Sequence, residues 1–254
     1  MAAEGLKVLS YGFKDMPLKK LNEMMHQFSL ESSEFRSEIE NDLVYLCTFG
    51  LDDPVREDIA ETVSFLRFGN DIKKEEKLEK KKKSHGSTVN LKMVTGDHIE
   101  TARYVGIQSG IVTEQEVNED GVVMTGEEFL NKIGHYERLW NEETNEYDIK
   151  FSNNDLFNHV RKKLRIVARC SSEDKFVLVA GTKSRGGIVA MTGDSITDAE
   201  ALKKADVGLC MGSGCEVAKD NSDLIILDND FYSIYRSIKW GRAIYDNIRK
   251  FVQF

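Results

Sequence analysis

The tripeptide Thr-Gly-Asp occurs twice, at Thr95–Asp97 in "MVTGDHIETA" and at Thr192–Asp194 in "MTGDSITDAEAL". Each copy closes a short apolar run and opens a stretch that can be helical. In an open parallel sheet this junction falls at the carboxyl edge of the strands, where helix N-termini converge and backbone N–H groups are free to meet an anion. Glycine lets the chain turn sharply and approach an oxyanion, while threonine supplies a hydroxyl and its own N–H, so the corner suits phosphate. The aspartate can hold Mg²⁺, which takes one or two protein carboxylates and completes its shell with water and phosphate oxygens. A single Thr-Gly-Asp is more simply a strand-to-helix turn with Asp or Thr capping the helix. Two copies after two strands, and a further carboxylate at Asp198 close to Asp194, favour a shared site.

Lys175 adds to this constellation. In "RIVARCSSEDKFVLV" it falls just past a short strand, within the first turn of the next helix. From there its ammonium can reach the same sheet edge and neutralise charge on a transferring phosphoryl group. The plainer alternative is a solvated helix lysine.

The scaffold that would hold these residues alternates short β-rich runs with longer helical ones, the pattern of a parallel sheet covered by helices on both faces. Strands are expected at Leu43–Phe49, Val89–Val94, Arg165–Ala168, Ile188–Met191, Val207–Cys210 and Leu224–Leu227. Helices are expected at Ile99–Gln108, Leu156–Lys163, Glu173–Lys183, Asp198–Lys204 and Glu216–Asn221. A lysine-rich stretch, 70–87, has too little apolar content for a core and reads as a solvated loop. The segment 135–155, "HYERLWNEETNEYDIKFSNND", reads as a polar surface excursion. From Tyr232, the residues Ile234, Ile238, Gly241, Tyr245, Ile248 and Val252 recur at helical spacing and form a narrow apolar seam that runs to the last residue without a cap, as in a helix cut partway.

Composition bounds the function. The 254 residues carry 35 Lys and Arg against 43 Asp and Glu, a net charge of −8, which argues against general nucleic-acid binding. Cys47, Cys170, Cys210 and Cys215 form no C-x-x-C pair and read as reduced thiols. The N-terminus lacks the pattern of a secretory signal, and no window reaches the length of a membrane-spanning helix.

Several separated segments resemble one family. "MVTGDHIETA", "VARCSSEDK", "MTGDSITDAEALKKADVGLCMGSGCEVAKDNSDLIILDNDF" and "WGRAIYDNIRKFVQF" are together similar to the phosphorylation domain of P-type ATPases, most closely the plasma-membrane calcium-transporting subgroup. "LDDPVRED" resembles the segment that re-enters this domain, and "MAAEGLKVLSYGFKDM" the end of the nucleotide-binding domain. The resemblance implies a haloacid-dehalogenase-like α/β (Rossmann-type) fold, with residues 1–40 as the end of the nucleotide-binding domain and hinge, 41–231 as the phosphorylation domain, and 232–254 as the start of a stalk helix leading to the membrane. It implies ATP and Mg²⁺ as cofactors, calcium as the ion carried by the whole pump, and a place at the cytosolic face of a membrane, the isolated chain being soluble.

By the same resemblance, Thr95 and Gly96 hold phosphoryl oxygens and Asp97 lies near the nucleotide. Lys175 compensates acyl-phosphate charge, Asp194 is the Mg²⁺ ligand, and Asp198 supports it. Arg169 and Arg56 approach the nucleotide, and Thr197 stands where the family has asparagine. The family's phosphoacceptor motif, Asp-Lys-Thr-Gly-Thr, does not occur in the sequence, and the pair Asp174-Lys175 is followed by Phe176. The implied fold therefore lacks the central strand that lies between the two Thr-Gly-Asp strands, and this chain alone is expected to be inactive. Ser195 replaces a glycine, Glu200 and Ser172 replace prolines, and the serine is expected to forbid backbone angles reserved for glycine. Two alternatives compete: a non-catalytic module binding Mg²⁺, phosphate or a partner, and a soluble phosphatase using Asp52 or Asp53, whose adjacency suits in-line attack poorly.

Overall fold

A computed structural model of the chain describes residues 1–29, 32–68 and 89–254. Contacts divide the chain into two units, Met1–Asp53 and Pro54–Phe254. The lysine-rich stretch 70–87 lies outside the described residues.

In the first unit, β1 (Lys7–Phe13) leads through α1 (Leu18–Gln27) and α2 (Ser33–Glu40) to β2 (Val44–Leu51). β1 and β2 pair antiparallel from Lys7↔Leu51 to Phe13↔Val44, with an irregularity between Tyr11 and Gly12. α2 starts where it does because the Ser32 side chain accepts the Phe35 N–H at 3.2 Å, satisfying one orphan donor of the first turn. The strand expected at Leu43–Phe49 therefore forms, but as the partner of β1 and outside any parallel sheet. A strand's apolar content announces its conformation and leaves its partner unstated. The contact boundary accordingly falls after Asp53.

The second unit runs α3 (Ile59–Phe68), β3 (Met93–Val94), α4 (Ile99–Gln108), β4 (Val123–Thr125), α5 (Gly126–Ile133), β5 (Tyr136–Asn141), β6 (Glu146–Phe151), α6 (Asn154–Lys163), β7 (Ile166–Ala168), α7 (Ser172–Ser184), β8 (Ala190–Gly193), α8 (Ala199–Lys204), β9 (Val207–Met211), α9 (Glu216–Asp220), β10 (Leu224–Ile226) and α10 (Phe231–Gln253). It is α/β, as the alternation predicts. Its parallel strands form two sheets, β3-β7-β4 and β10-β9-β8. β3 and β8, the strands that run into the two Thr-Gly-Asp units, each lie at the edge of their sheet.

β7 shows how the sequence makes the core. Ile166 and Ala168 join Val63, Ala102 and Val112 on one side, whereas Val167 joins Met124, Phe157 and Phe176 on the other. This is the period-two alternation of a strand buried on both faces. Full burial of each of the larger side chains is worth roughly 1.5–3 kcal/mol. α7 links the sheets: its Phe176 and Val177 pack with β7, while its Val179 packs with Met191 of β8, Leu202 of α8 and Cys210 of β9. α10 covers the second sheet by seating Ile234 against Leu209 and Ile226, with Ile238 beside them. Farther along, Trp240, Tyr245, Ile248 and Phe251 are exposed. Among the described residues no helix is long and apolar enough to cross a membrane.

The segment 135–155 is more structured than its polarity suggests. β5 and β6 form an antiparallel hairpin, and its alternate residues Ile149 and Phe151 are buried in the core, where Phe151 stacks on Phe157 at 4.2 Å. α3, β4 and α5 are additional elements, and the strand expected from Val89 is reduced to Met93–Val94. The helix expected from Asp198 is a 3₁₀ turn, Ile196–Asp198, followed by α8. All four cysteines are free thiols.

Candidate phosphoryl and metal corner

α7 begins at a capping box. The Ser171 hydroxyl accepts the Asp174 N–H at 3.2 Å, while the Asp174 carboxylate accepts the Ser171 N–H at 2.7 Å and its hydroxyl at 2.9 Å. Asp174 is thus committed to the helix start. The cap also fixes the first turn from which Lys175 projects. Its Nζ donates to Asp198 Oδ1 at 2.8 Å and to Thr197 Oγ1 at 3.2 Å. Lys175 and Asp198 are only 7% and 6% exposed, so the solvated-lysine reading does not hold.

The second Thr-Gly-Asp turn is built to receive Asp198. A Cβ on Gly193 would lie 2.5 Å from the Cβ of Asp198, so only glycine lets that side chain fold back on the strand end. Asp198 Oδ2 then accepts the Ser195 hydroxyl at 2.6 Å, the Ser195 N–H at 3.1 Å and the Asp194 N–H at 3.3 Å. Burial alone would push the Asp198 carboxyl up, but the hydrogen bonds from Lys175 and Ser195 outweigh it and hold the group below the ordinary carboxylate range. Ser195 adopts φ −111°, open to any residue, so the strain expected from the loss of glycine is absent. Its hydroxyl also bonds Thr197 Oγ1 at 2.7 Å.

Asp194 stands apart from these bonds. Its N–H faces Asp198 and its carbonyl accepts the Cys215 N–H at 2.8 Å, whereas its exposed carboxylate has no hydrogen-bond or ion-pair partner among the described residues. No group of three His, Cys, Asp or Glu suited to a metal exists among the described residues. An ion here would therefore have Asp194 as its free carboxylate, a donor set that fits Mg²⁺ with a largely water and phosphate shell.

At the first Thr-Gly-Asp turn, the Thr95 hydroxyl donates to Asp97 Oδ2 at 3.0 Å and accepts the Asp97 N–H at 3.1 Å. The helix cap is neither of them: His98 Nδ1 accepts the Glu100 N–H at 3.3 Å. A Cβ on Gly96 would meet nothing within 4 Å, which leaves open space over the turn. The turn is tied to the loop before α7, because Asp97 O accepts the Arg169 N–H and Thr95 O the Cys170 N–H, both at 2.9 Å. Arg169 holds a left-handed φ of 49° with its side chain exposed, and burial together with the nearby Asp174 pushes the Cys170 thiol up to about 12.

Lys175, Thr197 and Asp198 are thus joined directly, Asp194 abuts them through its backbone, and Thr95–Asp97 connect to them through the loop at 169–170. Arg56 Nη1 donates to the Asn229 carbonyl at 2.6 Å, and the Asn229 side-chain oxygen accepts the Ser213 N–H at 2.9 Å. A residue that local spacing did not reveal is Arg138, on β5, which pairs with Glu173 at 2.6 Å and with Glu200. A shallow cavity of about 520 Å³ lined by Leu130, Asn131, Gly134, His135, Tyr136 and Arg138 contains neither Thr-Gly-Asp unit, so volume alone does not mark the corner.

No protein-family model matches the chain. It is 34% identical over 242 residues to a putative plasma membrane-type calcium-transporting ATPase 13 of Arabidopsis thaliana, covering 95% of this chain and 20% of that protein. It is 32% identical over 260 residues to the human plasma membrane calcium-transporting ATPase 3, covering 100% of this chain and 18% of the relative. Calcium-transporting ATPase 2 of Schizosaccharomyces pombe is 38% identical over 214 residues, 84% of this chain and 13% of that protein. The chain thus spans a fifth or less of the length of these relatives. Among solved structures, one described as the catalytic domain of the CPx-ATPase CopB-B is 32% identical over 34% of this chain and 36% of that one, with a TM-score of 0.29. With identity above 30% sustained across nearly all its residues, the chain belongs to the P-type ATPase family, and the relatives it matches are calcium-transporting ATPases.

Proposed function

We propose that this chain forms the Mg²⁺- and phosphoryl-binding part of the catalytic segment of a calcium-transporting P-type ATPase, in which ATP hydrolysis drives ion transport by the whole pump at a membrane. The observation that carries this reading is the buried Lys175–Asp198 pair, which folds the second Thr-Gly-Asp turn so that Asp194 is left exposed and unengaged beside it. Asp194 would hold Mg²⁺, and the ion would neutralise charge on phosphoryl oxygens. Lys175 would add a fixed positive charge from the side of α7, with Thr197 and Asp198 orienting its ammonium. Thr95 and Gly96 would offer oxygen-binding groups over the open space at the first turn, with Asp97 and Arg169 on the nucleotide side. Arg56, bonded to the Asn229 carbonyl, would approach from the re-entry segment.

The edge positions of β3 and β8 support a phosphoacceptor strand lying between them in the whole pump. On this reading the chain alone has no acceptor aspartate and does not turn over ATP. The one observation favouring a purely binding module is that Asp174, the only aspartate followed by lysine, serves as a helix cap. A phosphatase is disfavoured, because Asp52 and Asp53 follow β2, an antiparallel strand of the first unit.

Calorimetric titration with Mg²⁺ in the presence of inorganic phosphate tests the proposal. The unaltered chain should bind the ion, and Asp194→Asn should weaken binding by about tenfold or more, since a lone protein carboxylate is being neutralised. Equal affinity in the two proteins would overturn the assignment of Asp194.

A further inference from the structure

The β5–β6 hairpin touches the corner's two supporting helices through charge. Arg138 donates through Nη1 to Glu173 at 2.6 Å and through Nη2 to Glu200. Glu173 stands two residues before Lys175, and Glu200 two residues after Asp198. The Arg138 fork therefore spans the same two chain segments that the Lys175–Asp198 pair joins. The guanidinium is itself held, with its central carbon 4.3 Å from the Phe176 ring and 4.7 Å from the Tyr147 ring. A planar cation fixed between aromatic rings keeps its donors aimed, so little freedom is lost when both carboxylates are bound. At the other end of α8, Lys204 is held by Glu146 at 3.0 Å and Asp148 at 2.8 Å, both on β6.

We propose that Arg138 is a positioning residue for the Lys175–Asp198 corner: by bridging Glu173 and Glu200 it holds the first turns of α7 and α8 at the separation that the pair requires. α8 has six residues, and a helix that short has little rigidity of its own. Without the fork, the polar tie of its first turn to α7 rests on Lys175, beside the apolar packing of Leu202 on Val179, and the ammonium then acts as a structural tie instead of a charge with a fixed aim. Glu200, which stands where the family motif has proline, is what gives the fork its second arm in this chain. The proposal deepens the reading of Lys175 and Asp194 given above and rests on it for its functional meaning.

The test follows the Nζ protons of Lys175 and Lys204 by ¹H–¹⁵N NMR exchange in the absence of Mg²⁺. Both ammonium groups are buried and bonded, and Lys204, secured by a different pair of carboxylates, is the internal control. Glu200→Ala should accelerate exchange at Lys175 by about tenfold, the scale of a lost hydrogen bond to a charged group, and leave Lys204 unchanged. Glu200→Gln, which keeps an acceptor for the guanidinium, should restore part of the protection. Arg138→Gln should reproduce the Glu200→Ala effect if it folds, and the two Glu200 variants decide the matter if it does not. Unchanged exchange at Lys175 in Glu200→Ala, or equal acceleration at both lysines, would overturn the proposal. Mg²⁺ affinity of Glu200→Ala is a separate readout, expected to fall severalfold. If the unaltered chain binds no Mg²⁺, the functional reading fails, while the exchange data still decide the positioning role.

Discussion

Lys175 and Asp198 show why a single contact can dominate a corner. Both are nearly fully buried, so each charge depends on the other for compensation. Removing one partner leaves a buried charge without its counter-charge, which typically costs about 3–5 kcal/mol, whereas an exposed pair is worth less than about 1 kcal/mol. Lys175→Met and Asp198→Ala are each expected to lower the urea unfolding free energy on the larger scale. The double replacement should cost less than the two single losses added together. The sign with pH follows from Asp198, whose folded-state carboxyl is held below its ordinary value. Its stabilisation is complete above the ordinary carboxylate range and is lost as pH falls through the lower, folded value. A lysine in this place was legible from "SSEDK" and the nearby Thr-Gly-Asp. Its burial was not, because its partner Asp198 reaches it from another segment, where Gly193 lets that side chain fold back.

At the level of elements, Lys92 couples a strand entrance to a helix end. It lies just before β3, and its Nζ donates to the Arg161 and Leu164 carbonyls at 2.6 and 2.5 Å, where α6 finishes. Burial, then repulsion from Arg165 and Arg161, pulls its ammonium from 10.5 down to about 7. An unfolded chain keeps that proton to the ordinary value while the folded chain releases it earlier, so the unfolded state binds more protons between those limits and stability rises with pH across that window. Urea midpoints compared between about pH 7 and about pH 8.5 should therefore rise more for the unaltered chain than for Lys92→Met. An equal rise in both would show that Lys92 does not titrate there. Elements with local signals were the legible ones: β7 is a continuous apolar run, and α7 is another that opens at the Ser171–Asp174 capping box. α5 had a signal that went unread, since Thr125-Gly126-Glu127-Glu128 is a capping box with both reciprocal bonds formed. The β5–β6 hairpin was hidden by its charged outer residues, and only the period-two placement of Ile149 and Phe151 betrayed its buried face. The pairing of β1 with β2, from Lys7↔Leu51 to Phe13↔Val44, joins residues more than thirty positions apart, which no local window contains.

The two units of the molecule differ in how much core each possesses. Among the described residues of Met1–Asp53 the buried apolar side chains are Met24 and Phe35, while Leu9, Tyr11, Tyr45, Leu46 and Phe49 on its two strands are exposed. A two-stranded sheet with so little covered surface is marginal in water. The larger unit instead closes β7 between two clusters, with Ile166, Val167 and Ala168 at 0–1% exposure. Opening β7 exposes both clusters at once, so its amides should exchange only through near-global unfolding, whereas those of β1 and β2 should exchange through local opening. Native-state hydrogen exchange is therefore expected to give Val167 protection factors several orders of magnitude above those of the β1–β2 pair at Leu9 and Phe49. Mild urea should remove the signals of the first unit while β7 remains protected. Equal protection in both units, lost together in one transition, would mean that the first unit draws its stability from the second and that the boundary at Asp53 is not an energetic one.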